Sequence, residues 1–147
     1  ELVQLACLLH DAHEAYTGDT SSPAKNAIGL GWAQFEHVHA DRVRRALGIN
    51  DAFVAHGRLV GHFDLVALAT ERQQITHYNP THHAPWPILD TGEHVIKPSA
   101  WVRLNDLHLV RRRWSDWRDL FLLRYFDLCR AVNATEPTAL ALQERAA

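Results

Sequence analysis

The opening stretch ELVQLACLLHDAHEAYTGD constrains the fold more than any other part of the chain. Leu2, Leu5, Ala6, Leu8, Leu9 and Ala12 recur at helical spacing, which predicts a core helix over about residues 2–16. His10 and Asp11 interrupt this apolar run side by side. A buried charged group is costly unless it is paired or bound to a metal, so the break calls for a chemical reason. His10 and Glu14 are four residues apart, Asp11 and Glu14 three, and on a helix all three side chains share one edge. Nitrogen and carboxylate oxygen together suit a divalent ion: manganese, cobalt, zinc, iron or magnesium. The plain alternative is a hydrogen-bonded helix end, with Thr17, Gly18 and Asp19 starting a turn.

Helical periodicity continues down the chain. Trp32, Phe35, Val38, Val43, Ala46 and Leu47 form an apolar stripe on a second helix of about residues 31–47, closed by Gly48. A third and longer helix is expected from Asp51 to about Tyr78, stopped by Asn79-Pro80. From Pro80 to Pro98 the chain carries four prolines and a Thr91-Gly92 turn, which reads as a long connection packed through Trp86 and Leu89. Ser115 is placed to cap a last major helix carrying Trp117, Leu120, Phe121, Tyr125 and Leu128. The expected architecture is all-α.

A chain of 147 residues, 47% of them hydrophobic, can fill one compact core. Its formal net charge of −2 gives no global pull toward nucleic acid or a membrane. Arg111-Arg112-Arg113, followed by Trp114, reads as a solvated edge, and no stable nucleic-acid partner is expected. No signal peptide and no apolar run of spanning length is recognised. Cys7 and Cys129 fall in apolar helical runs, where small buried thiols in a reducing cytoplasm are the simplest reading. Of the eleven histidines, His37, His39, His56, His62, His82 and His83 read as solvated or hydrogen-bonded side chains rather than ligands. The Trp-rich C-terminal half offers apolar surface through which copies of the chain can associate.

The segment LLHDAHEAYTGDTSSPAK resembles the signature of the HD-domain phosphohydrolases, in the small branch of bacterial 5'-deoxynucleotidases and phage deoxynucleoside triphosphate hydrolases. That branch reads LLHDxxEAxxGDxxxPxK, and His10, Asp11, Glu14, Ala15, Gly18, Asp19, Pro23 and Lys25 all fall on its fixed positions. A later helix of the family carries ADxxALxxE; here FDLVALATE supplies Asp64, with Ala67, Leu68 and Glu71 in step and Phe63 in place of the usual small residue.

The resemblance fades after about Tyr78. It implies an HD-domain helical bundle with the Pro-rich connection before its C-terminal helix, as a single domain over residues 1–147. It implies a divalent metal held by His10, Asp11 and Asp64, Glu14 as the group that moves a proton, and Asp19 at the leaving oxygen or the sugar. Lys25 would offer a point charge to substrate phosphate. Glu36 and Glu71 match acidic positions of the pattern, but both fit helix-surface or supporting salt-bridge roles and stay outside the expected site.

The expected activity is metal-dependent hydrolysis of a deoxynucleoside mono- or triphosphate. Its alternatives are an HD phosphoesterase of a cyclic or signalling nucleotide, and a degenerate HD module with a regulatory or interaction role. The family carries one more metal-binding histidine on an earlier helix. This chain has no methionine and opens inside an apolar helix, so it is expected to be a fragment or processed product lacking its N-terminal helix or helices.

Overall fold

The computed structural model describes residues 1–90 and 95–135. The protein is all-α, and no strand occurs among the described residues. The helices are α1 (Leu2–Leu8), α2 (Glu14–Thr17), α3 (Ser22–Ile28), α4 (Leu30–Ala46), α5 (Asn50–Gln74), α6 (Pro87–Asp90), α7 (Leu107–Val110) and α8 (Trp114–Thr135). Its contacts divide the chain into two compact units, Glu1–Gly57 with the chain from Tyr125 onward, and Arg58–Arg124.

The first helix is shorter than its apolar spacing predicts. α1 ends at Leu8, and the chain then tightens through Ala12 N–H to the Leu9 carbonyl and Glu14 N–H to the Asp11 carbonyl before α2 begins. These bonds span three residues rather than four, the tighter turn typical of helix ends. His10 and Asp11 therefore stand on a turn, and Glu14 opens the next helix instead of sharing a continuous edge with them. Gly18 closes α2 at a φ of 81°, a backbone conformation suited to glycine, and turns the chain into Asp19. The segment after it, read as a turn-rich link, contains α3 with Pro23 in its first turn.

α4 fits its expected span and ends in a double-bonded glycine cap. Gly48, at φ 67°, donates to the Arg45 carbonyl, and Ile49 N–H reaches back to Arg44. The cap drives Ile49 inward, where it is fully buried with Leu5, Leu9 and Leu128. Phe53, Tyr125, Cys129 and Val132 pack against the same cluster, so the core of this unit joins α1, the α4–α5 turn and the far half of α8. The guanidinium of Arg44 lies 3.8 Å from the centre of the Phe53 ring and roofs that edge of the core. Cys7 and Cys129 are free thiols.

α5 stops at Gln74, before the Asn79-Pro80 break, and a kink at His56 (φ −133°, ψ 17°) divides it. By length and composition alone it is long and apolar enough to cross a membrane, unlike any run recognised in the sequence. Arg58 and Asp64 lie within it. A charged side chain at a bilayer centre costs about 2.5–3.5 kcal/mol, so that measure by itself does not make α5 a span.

In the second unit, Val60, Ala69, Thr70 and Leu89 are buried. The Pro-rich connection wraps along α5 through polar clasps. Arg72 forms a two-pronged pair with Asp90 at 2.5 and 2.8 Å and lies over the rings of Tyr78 and Trp86. Ser99 N–H donates to the Thr70 hydroxyl, and Gln74 accepts from Leu104 N–H while donating to the Val102 carbonyl. Among the described residues this connection is an ordered wrap; the Thr91-Gly92 turn lies outside them. Ser115 falls inside α8 rather than at its cap, which is made instead by Asp116 accepting from Arg113 N–H.

Candidate metal centre

The turn after α1 fixes the orientation of His10. Its ring Nδ1 lies 2.9 Å from the Cys7 carbonyl oxygen, which can only accept, so Nδ1 carries the proton. Nε2 then faces the Asp11 carboxylate at 2.9 Å. In a neutral imidazole with Nδ1–H, Nε2 is a lone pair, and a lone pair does not bond to a carboxylate. Either a second ring proton or a cation must lie between them. Backing of the far ring nitrogen by a carbonyl is the arrangement that orients metal-ligating histidines. An N/O donor pair of this kind fits a borderline or hard divalent cation. The His10 ring holds the Asp11 carboxyl below its ordinary range, against an opposing push from burial.

Glu14 stands at the start of α2, partly buried, with its carboxyl raised above the usual carboxylate range. Burial is the main cause, followed by the charges of Asp11 and Asp19. A raised carboxyl is the better proton acceptor near neutral pH. Asp19 is exposed just past Gly18, and its carboxylate makes no hydrogen bond among the described residues. Lys25, on α3, does not point freely to solvent. Its ammonium lies 2.6 Å from Glu36 Oε1 and 3.9 Å from Glu14 Oε1.

α4 packs on both α2 and α3, which is what carries Glu36 to these groups. His13, which is buried, has Nε2 at 3.7 Å from Glu36 Oε1, beyond hydrogen-bond distance. The Lys25 bond holds the Glu36 carboxyl low, and Glu36 in turn holds the Lys25 ammonium up. His13, Glu14 and Glu36 are close enough together to hold an ion by donor type. The Lys25 ammonium already occupies the cation's place beside Glu36, so this trio is a salt-bridge network with its own built-in charge.

His10, Asp11, Glu14, Asp19 and Lys25 therefore all belong to the first unit, and the Lys25 ammonium stands 3.9 Å from Glu14. Asp64 is an exposed residue of α5 in the second unit. Two members of the network, His13 and Glu36, were not expected in the site. Glu36 carried a signal in its matching acidic position, whereas His13 carried none, because only the packing of α4 on α2 brings the two together.

Other histidines serve the scaffold: His39 Nδ1 bonds the Phe35 carbonyl, and His83 accepts from Asn79 N–H and stacks on Tyr78. No family model, no curated protein and no solved structure matches the chain.

Proposed function

We propose that the protein is a metal-dependent phosphohydrolase of the HD type acting on a deoxynucleoside mono- or triphosphate. One observation carries the reading: His10, with Nδ1 committed to the Cys7 carbonyl, presents Nε2 to the Asp11 carboxylate at 2.9 Å. The match of LLHDAHEAYTGDTSSPAK to the HD pattern supports it.

In this reading His10 and Asp11 hold the cation, and Asp64 is the third protein ligand on the strength of the resemblance. When bound, a divalent cation lowers the pKa of water toward neutrality and polarises a phosphoryl oxygen. Glu14 accepts the proton of the attacking water as its oxygen bonds to phosphorus. The ester or anhydride bond to phosphorus breaks on the opposite side, and the leaving oxygen takes up a proton. Asp19, turned out beyond Gly18, hands over that proton or holds the sugar. Lys25 has three donor hydrogens; with Glu36 bound to one and Glu14 facing another, the third serves a phosphate oxygen. Two free thiols accord with a reducing, cytoplasmic setting.

The test is a panel of deoxynucleoside mono-, di- and triphosphates with Mn(II) or Co(II), scored for phosphate, pyrophosphate or triphosphate release. At least one substrate should turn over, and chelation should stop it. Glu14→Ala should keep Mn(II) binding while lowering turnover by about a hundredfold or more. Asp64→Ala should weaken Mn(II) binding. Inactivity across the panel overturns the reading, and tight binding to a protein partner in its place would favour an interaction module.

A further inference from the structure

Lys25 lies between two carboxylates at unequal distances: 2.6 Å to Glu36 Oε1 and 3.9 Å to Glu14 Oε1. A direct ammonium–carboxylate hydrogen bond needs about 2.7–2.9 Å, so a shift of about an ångström would close the Glu14 contact. The nearer partner prevents it. We infer that Glu36 is a positioning residue that anchors the Lys25 ammonium away from the Glu14 carboxylate and so keeps Glu14 free to accept a proton. This inference rests on the reading of Glu14 as the general base of a hydrolase.

The geometry gives each member one task. Glu36 comes from the middle of α4, a helix packed on both α2 and α3, so its carboxylate is held by a rigid element rather than a loop. Buried His13 stands 3.7 Å from the same oxygen that binds Lys25 and limits how far the Glu36 side chain can retreat. The charged groups near Lys25 are Glu36, Glu14 and Asp11. Those near Glu14 are Asp11, Asp19, Lys25 and His13. Glu14 is thus surrounded by three carboxylates, Asp11, Asp19 and Glu36, and a single ammonium. A direct hydrogen bond from that ammonium, closer than the present 3.9 Å ion pair, would tie up a Glu14 oxygen and weaken it as a base. Without Glu36, Glu14 is the nearest carboxylate to Lys25.

The chain contains only two lysines, Lys25 and Lys97, which makes the arrangement directly observable. In protein labelled with 15N at lysine Nζ and 13C at glutamate, Lys97→Arg assigns the Lys25 ammonium signal. A scalar coupling across the hydrogen bond should run from Lys25 Nζ to the Glu36 carboxyl carbon in the wild type. In Glu36→Gln it should run to the Glu14 carboxyl carbon. Using the deoxynucleotide turned over fastest with Mn(II), Glu36→Gln should lower kcat by about tenfold, the equivalent of one pKa unit of lost basicity. Lys25→Met added to Glu36→Gln should move the acid limb of the kcat pH profile, shifted downward in Glu36→Gln, back to its wild-type position, whatever the lost phosphate contact does to the absolute rate. A merely structural role for Glu36 gives no such rescue. Glu36→Asp, shorter by one methylene, should move the same readouts in the same direction if Glu36→Gln fails to fold.

The inference is overturned if Lys25 shows no coupling to Glu14 in the Glu36 variants, or if the acid limb of the double variant stays where Glu36→Gln put it. A wild type without turnover would instead remove the hydrolase reading, and the coupling measurement would still decide where Lys25 sits.

Discussion

Replacing Thr70 by Val tests whether the Pro-rich connection is fastened to α5 by a buried polar clasp or merely lies over it. Thr70 is only 2% exposed. Its hydroxyl donates to the Val66 carbonyl at 2.6 Å and accepts from Ser99 N–H at 2.8 Å. Val is nearly the same shape and loses both bonds. The Val66 carbonyl keeps its place in the helix ladder, so losing the first bond costs little. Losing the second leaves a half-buried Ser99 N–H unpaired, at about 1–3 kcal/mol. A methyl in place of the hydroxyl returns up to about 0.8 kcal/mol by added apolar burial. The net expected loss is about 1–2 kcal/mol, read as a lower urea midpoint at unchanged m-value.

Global stability alone does not identify the cause, because Thr70→Ser also costs about 0.8 kcal/mol through the lost methyl. Amide hydrogen exchange separates the two. In Thr70→Val, Ser99 should exchange about 5–30 times faster relative to the α5 amide of Ala69, the ratio that 1–2 kcal/mol implies. In Thr70→Ser that ratio should stay at its wild-type value, since the acceptor oxygen remains. An unchanged Ser99 ratio in Thr70→Val would refute the reasoning and make the wrap a matter of apolar packing alone.

Asp11→Ala should abolish both Mn(II) binding, measured by calorimetry, and turnover, unlike Glu14→Ala, because the carboxylate facing His10 Nε2 is lost. Gly48→Ala should destabilise the protein by about 1–2 kcal/mol in urea, since a residue with Cβ is strained at φ 67° while nothing crowds the site. The Arg72 guanidinium and the Trp86 backbone hold the Asp90 carboxyl below its ordinary range. Its contribution is therefore complete above the unfolded carboxylate pKa of about 3.9 and is lost as pH falls through the lower folded value. Asp90→Asn should flatten the acid limb of the stability profile in that window, and an unaltered limb would remove Asp90 from the acid response.

How much of this was legible in the chain differs from element to element. The second helix was readable almost to the residue, because an apolar stripe and a terminal glycine are local signals: Gly48 must take a positive φ, and the cap it forms buries Ile49. The presence of a polar pair at His10 and Asp11 was legible for the same reason, since charge in an apolar run stands out residue by residue. Local pattern misjudged the first helix, however. Spacing alone does not reveal that the backbone tightens after Leu8, and it is this turn that aims the His10 ring at Asp11 and lets the Cys7 carbonyl set its proton.

The network of His13, Lys25 and Glu36 was beyond any reading of spacing. Its members stand on or beside three helices, and only the packing of α4 on α2 and α3 places Glu36 between a buried imidazole and an ammonium. The Pro-rich connection follows the same rule. Its prolines and its turn were evident, while the Arg72–Asp90 pair and the Thr70–Ser99 clasp join residues 18 and 29 positions apart. Sequence by itself determined the all-α character and the run of the long helices α4, α5 and α8, because these follow from side-chain type and short-range periodicity. Tertiary structure decided which charges meet, because hydrogen bonds and ion pairs depend on ångström-scale distances that only the packing of helices sets.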